Sequence, residues 1–347
     1  MRIFALEKII LQEEYMNSVK IIGTGSYVPR RVVTNDEMRQ FIDTNDEWIS
    51  SRTGIKTRHV STGETTWQMA VASAEEALDN ANLSAKNIQA IISTTGTPDY
   101  YYPSLSCLIS SKLGTHRPLA IDVSCACAGF VYGLDLARRY LMDEEIENVL
   151  LVSSEVLSKQ VDYSDRSSCV LFGDAAAALV LTKDQGIFHS YLKSDSGAMK
   201  SISCKAHGVS SPWVQAEHFD DFDGLLSQKE SPLIFMAGQE VFKFATKIIP
   251  ESLIEVCNKA GCSPNELDLI IPHQANLRII ESSMKRLNIN MTKVLHNIEN
   301  YGNTSSASIP LCIHEGIQSG KIQSGQKIGL VGFGGGLSYA SCMFEFL

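Results

Sequence analysis

Residues 121–140 read I-D-V-S-C-A-C-A-G-F-V-Y-G-L-D-L-A-R-R-Y. Ile121 to Ser124 have the character of a short buried strand. From Ala128 onward Val131, Leu134, Ala137 and Leu141 recur at three- and four-residue steps, the period of a helix laid on a core. Cys127 therefore falls where a strand gives way to a helix, with its sulfur facing free backbone N–H groups. Those groups and the helix dipole favour thiolate over thiol, and thiolate is the reactive form. A cysteine in such a place is otherwise a small buried apolar residue. Cys125, two residues earlier and on the same side of the strand, competes for the nucleophile's role but lacks the helix terminus.

Outward from this switch, strands and helices alternate from Val19 to the C-terminus, which predicts an α/β fold with buried sheets. Strands are expected at Val19–Ile22, Ile88–Ser93, Val149–Ser153 and Ala176–Leu181 in a first half. Thr65 and Thr66 can cap a helix whose Ala70, Ala74, Ala77, Leu78 and Ala81 form one small-residue face. A second half offers a long helix from about Ala237 to Ala260, a strand at Leu267–Ile271, and helices from Gln274 and from Ser305. It closes with strands at Lys327–Gly332 and Ser338–Phe346. The expected organisation is a leader over residues 1–18 and an N-terminal half over 19–185. An irregular connection or flap follows over 186–235, least regular at 195–232, and then a C-terminal half over 236–347.

Composition sets limits on function. Of 347 residues, 44% are hydrophobic and 20% charged, as in an ordinary soluble globular protein. No run approaches the roughly 18 apolar residues of a membrane helix, and charge interrupts the N-terminal segment, so neither a span nor a secretory signal is expected. Nine scattered cysteines without paired C-x-x-C units predict reduced thiols in a cytoplasmic protein and no structural zinc. A net charge of −9 argues against nucleic-acid binding.

Three further groups carry chemistry. His273, in I-I-P-H-Q-A-N-L-R, follows a buried strand and precedes a helix, the kind of strand end where α/β proteins gather ligands and the position Cys127 occupies in the first half. Asn303, in Y-G-N-T-S-S-A-S-I-P, sits in a glycine-flanked turn, where it or Thr304 can equally cap the following helix. Gly332-Phe333-Gly334-Gly335-Gly336 ends a strand; such a run lets a backbone N–H approach a thioester oxygen and, with the N–H of Cys127, form an oxyanion hole. No Lys-Ser/Thr follows it, so it is not a phosphate loop.

These stretches, with I-I-G-T-G-S-Y-V-P, D-T-N-D-E-W-I-S-S-R-T-G-I, C-A-G-F, V-L-F-G-D-A-A-A-A and M-A-G-Q-E-V-F-K, make the chain from about Val19 onward similar to β-ketoacyl-[acyl carrier protein] synthase III. That family of thiolase-fold condensing enzymes starts type II fatty-acid synthesis. The resemblance implies a duplicated five-layer αβαβα fold, a homodimer, and Cys127, His273 and Asn303 as a catalytic triad. Cys127 would be acylated by an acyl-CoA, and His273 and Asn303 would donate hydrogen bonds to the enolate formed when malonyl-ACP loses carbon dioxide. Cys127 and Gly335 would hold the tetrahedral oxyanion, and Phe333 would wall the malonyl carboxylate. No cofactor and no metal is implied.

The resemblance also assigns binding positions. Trp48 and Arg52 lie four apart in a segment that Asn45 can cap, and such a pair can sandwich an adenine. Arg166 and Thr44 would lie near the same nucleotide, and Gly238, Phe242 and Asn276 would line the pantetheine tunnel. Acidic carrier protein would dock on a local basic patch, for which Lys243, Lys247, Arg278 and Lys285 are the candidates. Tyr102 stands where relatives carry phenylalanine, at the position that caps the partner subunit's acyl pocket. Phe333 in place of a second cysteine argues against a thiolase, and Asn303 in place of a second histidine against an elongating ketosynthase. The alternatives are a specialised relative handling a non-acetyl group in secondary metabolism and a noncatalytic thiolase-fold scaffold.

Overall fold

A computed structural model describes residues 18–205 and 232–347. The expected leader up to residue 17, and residues 206–231 of the expected connection, lie outside the described residues. In the first half β1 (Ser18–Tyr27) is followed by β2 (Arg31–Thr34), α1 (Asp46–Thr53), β3 (Thr57–Val60), α2 (Thr66–Asn80) and β4 (Ala90–Thr94). Then come α3 (Leu105–Leu113), β5 (Leu119–Val123), α4 (Gly129–Tyr140), β6 (Asn148–Glu155) and β7 (Ala175–Asp184). The second half holds β8 (Phe188–Ser194), the short pair β9 (Ile202–Ser203) and β10 (Phe235–Met236), α5 (Gly238–Lys259) and β11 (Leu269–Pro272). It ends with α6 (Leu277–Leu287), α7 (Ser308–Gln318), β12 (Lys327–Gly334) and β13 (Ser338–Glu345).

Five layers result. A five-stranded sheet in the order β1-β7-β6-β4-β5 faces a four-stranded sheet in the order β11-β12-β13-β8. Helices α4 and α7 touch strands of both sheets and fill the middle, α2 and α3 cover the outer face of the first sheet, and α5 covers the second with α6 against it. The central core joins Ile92, Leu151 and Leu179 of one sheet through Phe130 and Leu134 of α4 to Leu330 and Cys342 of the other.

Four strands of each half repeat those of the other. In both, a parallel pair (β4–β6, β11–β12) is followed by two antiparallel neighbours (β7 then β1, β13 then β8). The registers Ile91↔Leu150 and Ile270↔Gly329 align β4 with β11 and β6 with β12. Among the described residues, the fifth strand β5 has one counterpart in the second half, the isolated parallel bridge Ile270↔Val294, matching Ile91↔Ala120.

Several expected boundaries shift. β1 runs on past Ile22 through Gly23 and Gly25 because the backbone of α2 lies directly on it: a Cβ at either glycine would sit 2.2 Å from a helix carbonyl. β8 lies inside the span expected to be an irregular connection, so the second sheet begins within 186–235. The helix expected from Gln274 starts at Leu277, where the Asn276 side chain accepts from Arg278 N–H. Of the two expected caps, Thr65 is the one that caps α2, and with Gln68 it forms a full capping box.

Candidate active site

The chain passes from β5 into α4 through a 3-10 turn, Ala126–Ala128, whose first residue has φ +45°. A non-glycine residue in the left-handed region costs about 1–2 kcal/mol, and such strain gathers at functional sites. Cys127 is the second residue of that turn and is half-buried. The end of β12 presses on it: a Cβ at Gly334 would lie 2.5 Å from the Cys127 nitrogen, and one at Gly332 would lie 3.2 Å from the Ala128 Cα. Only glycine lets the second half approach the nucleophile turn so closely. Gly335 follows, 3.7 Å from the Ala126 Cβ by the same measure.

The expected thiolate is not the resting state. Burial pushes the Cys127 thiol up to about 12, and the nearby Glu155 adds to this, while the Ser305 hydroxyl and the cysteine's own N–H pull it down by less. Since α4 begins only at Gly129, the field of its N-terminus is outweighed by loss of water around the sulfur. Cys125, also half-buried, is raised by burial as well.

His273 directly follows β11, with its backbone N–H donating to Val331 O at 2.8 Å. The ring is 1% exposed, and its Nδ1 meets Ser308 Oγ at 2.7 Å, which leaves Nε2 for a ligand. Burial pushes its pKa down to about 3, so the imidazole is neutral at pH 7. Phe333, 2% exposed, packs edge-on against it with centroids 5.5 Å apart. Asn303 is buried and tied on both sides, its N–H donating to Leu171 O at 2.8 Å and its O accepting from Gly173 N–H at 3.0 Å. Its side-chain Oδ1 accepts from Ser305 N–H at 2.8 Å, at the first residue of the following 3-10 turn, Ser305–Ala307, whose N-cap is Thr304 without a side-chain bond, and the Asn303 Nδ2 is left as a donor. Ser305 bears on Cys127, Gly334 abuts Cys127, and Phe333 abuts His273, so the three expected groups are joined through these neighbours.

At the periphery, Asn45 accepts from Trp48 N–H at 2.7 Å and starts α1 as expected. The Arg52 and Arg166 guanidinium carbons each lie 4.6 Å from the Trp48 ring centroid. Both cations stack directly on the indole, so a base entering between indole and guanidinium would have to displace one. Arg166 also donates to Asp43 O at 3.0 Å, and the buried Thr44 Oγ1 has no hydrogen-bond partner among the described residues. Gly238 opens α5, with open space where a Cβ would be, and Phe242 is exposed one turn on. Lys243 and Lys247 are exposed on α5, and Arg278 and Lys285 on the adjoining α6. Lys247 lies 4.0 Å from Glu251, an exposed pair of little strength. Tyr102 is 88% exposed beside the exposed Tyr100 and Tyr101, at the rim of a cavity of about 770 Å³ also lined by Gly96, Asp122 and Lys159.

Sequence reasoning passed over Ser308, Ser306 and Glu155. The signals were present: three serines in T-S-S-A-S after Asn303, and an acid closing the otherwise uncharged run V-L-L-V-S-S-E.

Comparison with known proteins fits these features. The family described as 3-oxoacyl-[acyl-carrier-protein] synthase III matches residues 121–196, and the description of its C-terminal part matches residues 257–346. The β-ketoacyl-[acyl-carrier-protein] synthase III of Clostridium acetobutylicum is 43% identical over 332 residues, 95% of this chain and 99% of that one. The crystal structure of 3-oxoacyl-[acyl-carrier-protein] synthase III from Aquifex aeolicus superposes with a TM-score of 0.85 at 40% identity, covering 95% of this chain and 100% of that one. The synthase III structure from Thermus thermophilus gives 0.86 at 35% identity, with 94% and 99% covered.

Proposed function

The chain belongs to the β-ketoacyl-[acyl carrier protein] synthase III family, and from that premise we propose that it joins a short acyl-CoA to malonyl-ACP by decarboxylative Claisen condensation, giving 3-oxoacyl-ACP at the start of type II fatty-acid synthesis. The Cys127 sulfur attacks the acyl-CoA carbonyl, and the tetrahedral oxyanion is held by the N–H groups of Cys127 and Gly335. Collapse expels CoA, whose sulfur takes the proton that the cysteine loses. A thiol near 12 fits this proton balance, because the proton departs during the transfer and is not shed beforehand.

Malonyl-ACP follows. Loss of carbon dioxide leaves an enolate whose oxygen accepts hydrogen bonds from His273 Nε2 and Asn303 Nδ2. A neutral imidazole suits a donor that must not itself titrate near pH 7. The Phe333 ring beside His273 offers the malonyl carboxylate an apolar wall, which favours its departure. The enolate carbon attacks the acyl-enzyme, releasing 3-oxoacyl-ACP and a cysteine thiolate that takes a proton from solvent.

Trp48, Arg52, Arg166 and Thr44 are assigned to the nucleotide, and Gly238, Phe242 and Asn276 to the pantetheine arm. The unpartnered Thr44 Oγ1 supports the first assignment. Exposed Lys243, Lys247, Arg278 and Lys285 on two adjoining helices support carrier-protein docking there. The exposed tyrosine cluster supports a homodimer in which Tyr102 reaches the partner's acyl pocket, and nine free cysteines support a cytoplasmic location.

The single observation that carries this reading is the glycine end of β12 pressed on the Cys127 turn. Incubation with radiolabelled acetyl-CoA tests it: wild type takes up one acyl group and Cys127→Ala none. No label on wild type, or equal label on Cys127→Ala, would overturn the covalent route.

A further inference from the structure

Glu155 is a carboxyl with no exposed surface, at the C-terminal end of a central strand, and the reaction above makes no use of it. Burying a charge away from water is costly unless hydrogen bonds replace the lost hydration. Its partners are neutral and come from both halves of the molecule. From the first half, Gly96 N–H donates at 3.0 Å and Thr97 Oγ1 at 2.7 Å; from the second, Ser306 Oγ meets Glu155 Oε1 at 2.7 Å. Had the carboxyl served only to close the 95–97 loop, the cross-half contact would be superfluous.

The internal repeat sharpens the point. In β6 and β12, each of eight residues, Glu155 and Gly334 are the last, paired to the first residues of β7 and β13. The turns facing them are equivalent as well. Ala126–Ala128 and Ser305–Ala307 are both 3-10 turns closed by the same bond, Ala128 N–H to Cys125 O and Ala307 N–H to Thr304 O, each at 3.1 Å. Both begin on a left-handed non-glycine residue, Ala126 at φ +45° and Ser305 at +51°. Cys127 and Ser306 therefore occupy the same place. Where the second half lays a bare glycine on the nucleophile, the first half sets a carboxyl on the turn that carries Asn303.

We propose that Glu155 is a positioning residue: through Ser306 it clamps the 303–306 turn, so that Ser305 N–H holds Asn303 Oδ1 and the Asn303 amide nitrogen is aimed at the substrate oxygen. The chain of contacts is continuous, from Glu155 to Ser306 at 2.7 Å and from Ser305 to Asn303 at 2.8 Å. This rests on the reading that Asn303 donates to the malonyl enolate. The first stage, acylation of Cys127, does not need that amide.

The test measures the two stages separately in the full-length enzyme, acylation with labelled acetyl-CoA and decarboxylation with malonyl-ACP. Glu155→Gln and Ser306→Ala are each expected to slow decarboxylation roughly ten- to a hundredfold, as small misplacements do, with acylation within about threefold of wild type. Glu155→Gln combined with Asn303→Ala should be no worse than Asn303→Ala alone, because both remove one interaction. Additive losses, or undiminished decarboxylation in both single variants, would overturn the positioning role. Should Glu155→Gln fail to fold, Ser306→Ala and its double variant with Asn303→Ala decide the matter by the same criteria. If Asn303→Ala itself decarboxylates normally, the enolate reading is what falls.

Discussion

The turn before α4 and the turn before α7 share one backbone and differ in what they face. Ala126–Gly129 carries a thiol against the glycine end of β12; Ser305–Ser308 carries hydroxyls against the carboxyl end of β6. Backbone alone therefore does not make a reactive site. The nucleophile turn is made functional by what its partner strand lacks, a side chain at Gly334, and the asparagine turn by what its partner strand adds. Exchange of one atom at each strand end should break the comparison in opposite halves of the reaction.

The largest effect is expected at Gly334. In Gly334→Ala the new methyl would fall 2.5 Å from the Cys127 nitrogen, a backbone atom that cannot swing aside. The turn must shift, and acyl transfer is expected to fall by about a hundredfold or more, with a loss of about 1–3 kcal/mol in stability from overpacking. Labelling kinetics with acetyl-CoA and thermal unfolding would measure the two. Acylation at the wild-type rate would mean that the close approach of the halves is irrelevant to the nucleophile.

That approach marks the boundary of what the chain's letters disclose. Strand, turn and helix around Cys127 were legible because apolar spacing and small residues act locally, as were the caps at Asn45 and Thr65. The glycine run was legible as a place of close approach, though not what it approaches. The equivalence of Cys127 with His273 failed because both merely follow a strand, Cys127 four residues after Val123 and His273 directly after Pro272. Sheet order shows that His273 instead matches Thr94, since Pro272 pairs with Val331 as Ser93 pairs with Val152. The β8 strand was hidden because its residues, F-H-S-Y-L-K-S, have no strict alternation, their burial being decided by the neighbouring β13. Ionisation was misjudged for a related reason. A helix start is visible in sequence, whereas the loss of water around a sulfur is a property of the assembled core.

The thiol supplies the next test of the two turns, because Glu155, clamped on the asparagine turn, acts through space on the nucleophile of the other. A cysteine raised from its ordinary value to about 12 binds its proton throughout the working range. At pH 8 only about one sulfur in ten thousand is ionised, against about a quarter for an ordinary thiol near 8.5. Alkylation of Cys127 by iodoacetamide should therefore be slow at pH 8 and climb about tenfold per pH unit up to about pH 11, with no plateau near 8.5. Glu155 adds to the thiol's rise, but burial raises its own carboxyl as well, so Glu155→Gln should speed alkylation at pH 8 by no more than about threefold. Mass spectrometry of the modified peptide against time would follow both. A plateau near 8.5 would restore the thiolate predicted from the helix start.

The smallest effects belong to the two left-handed residues that open the turns. Glycine at Ala126 would remove a steric cost of about 1–2 kcal/mol and lose about 0.5–1 kcal/mol to the greater freedom of the unfolded chain. Ala126→Gly should thus unfold at the wild-type temperature or slightly above it. Ser305→Gly gains the same relief but gives up a hydroxyl that bears on both Cys127 and Glu155, so it should be no more stable than wild type. The difference in sign between two equivalent positions is the informative quantity, and paired melting curves read it directly. Equal stabilisation of both would mean that the Ser305 hydroxyl contributes nothing across the interface, and that the two turns differ only in the residues that follow their first.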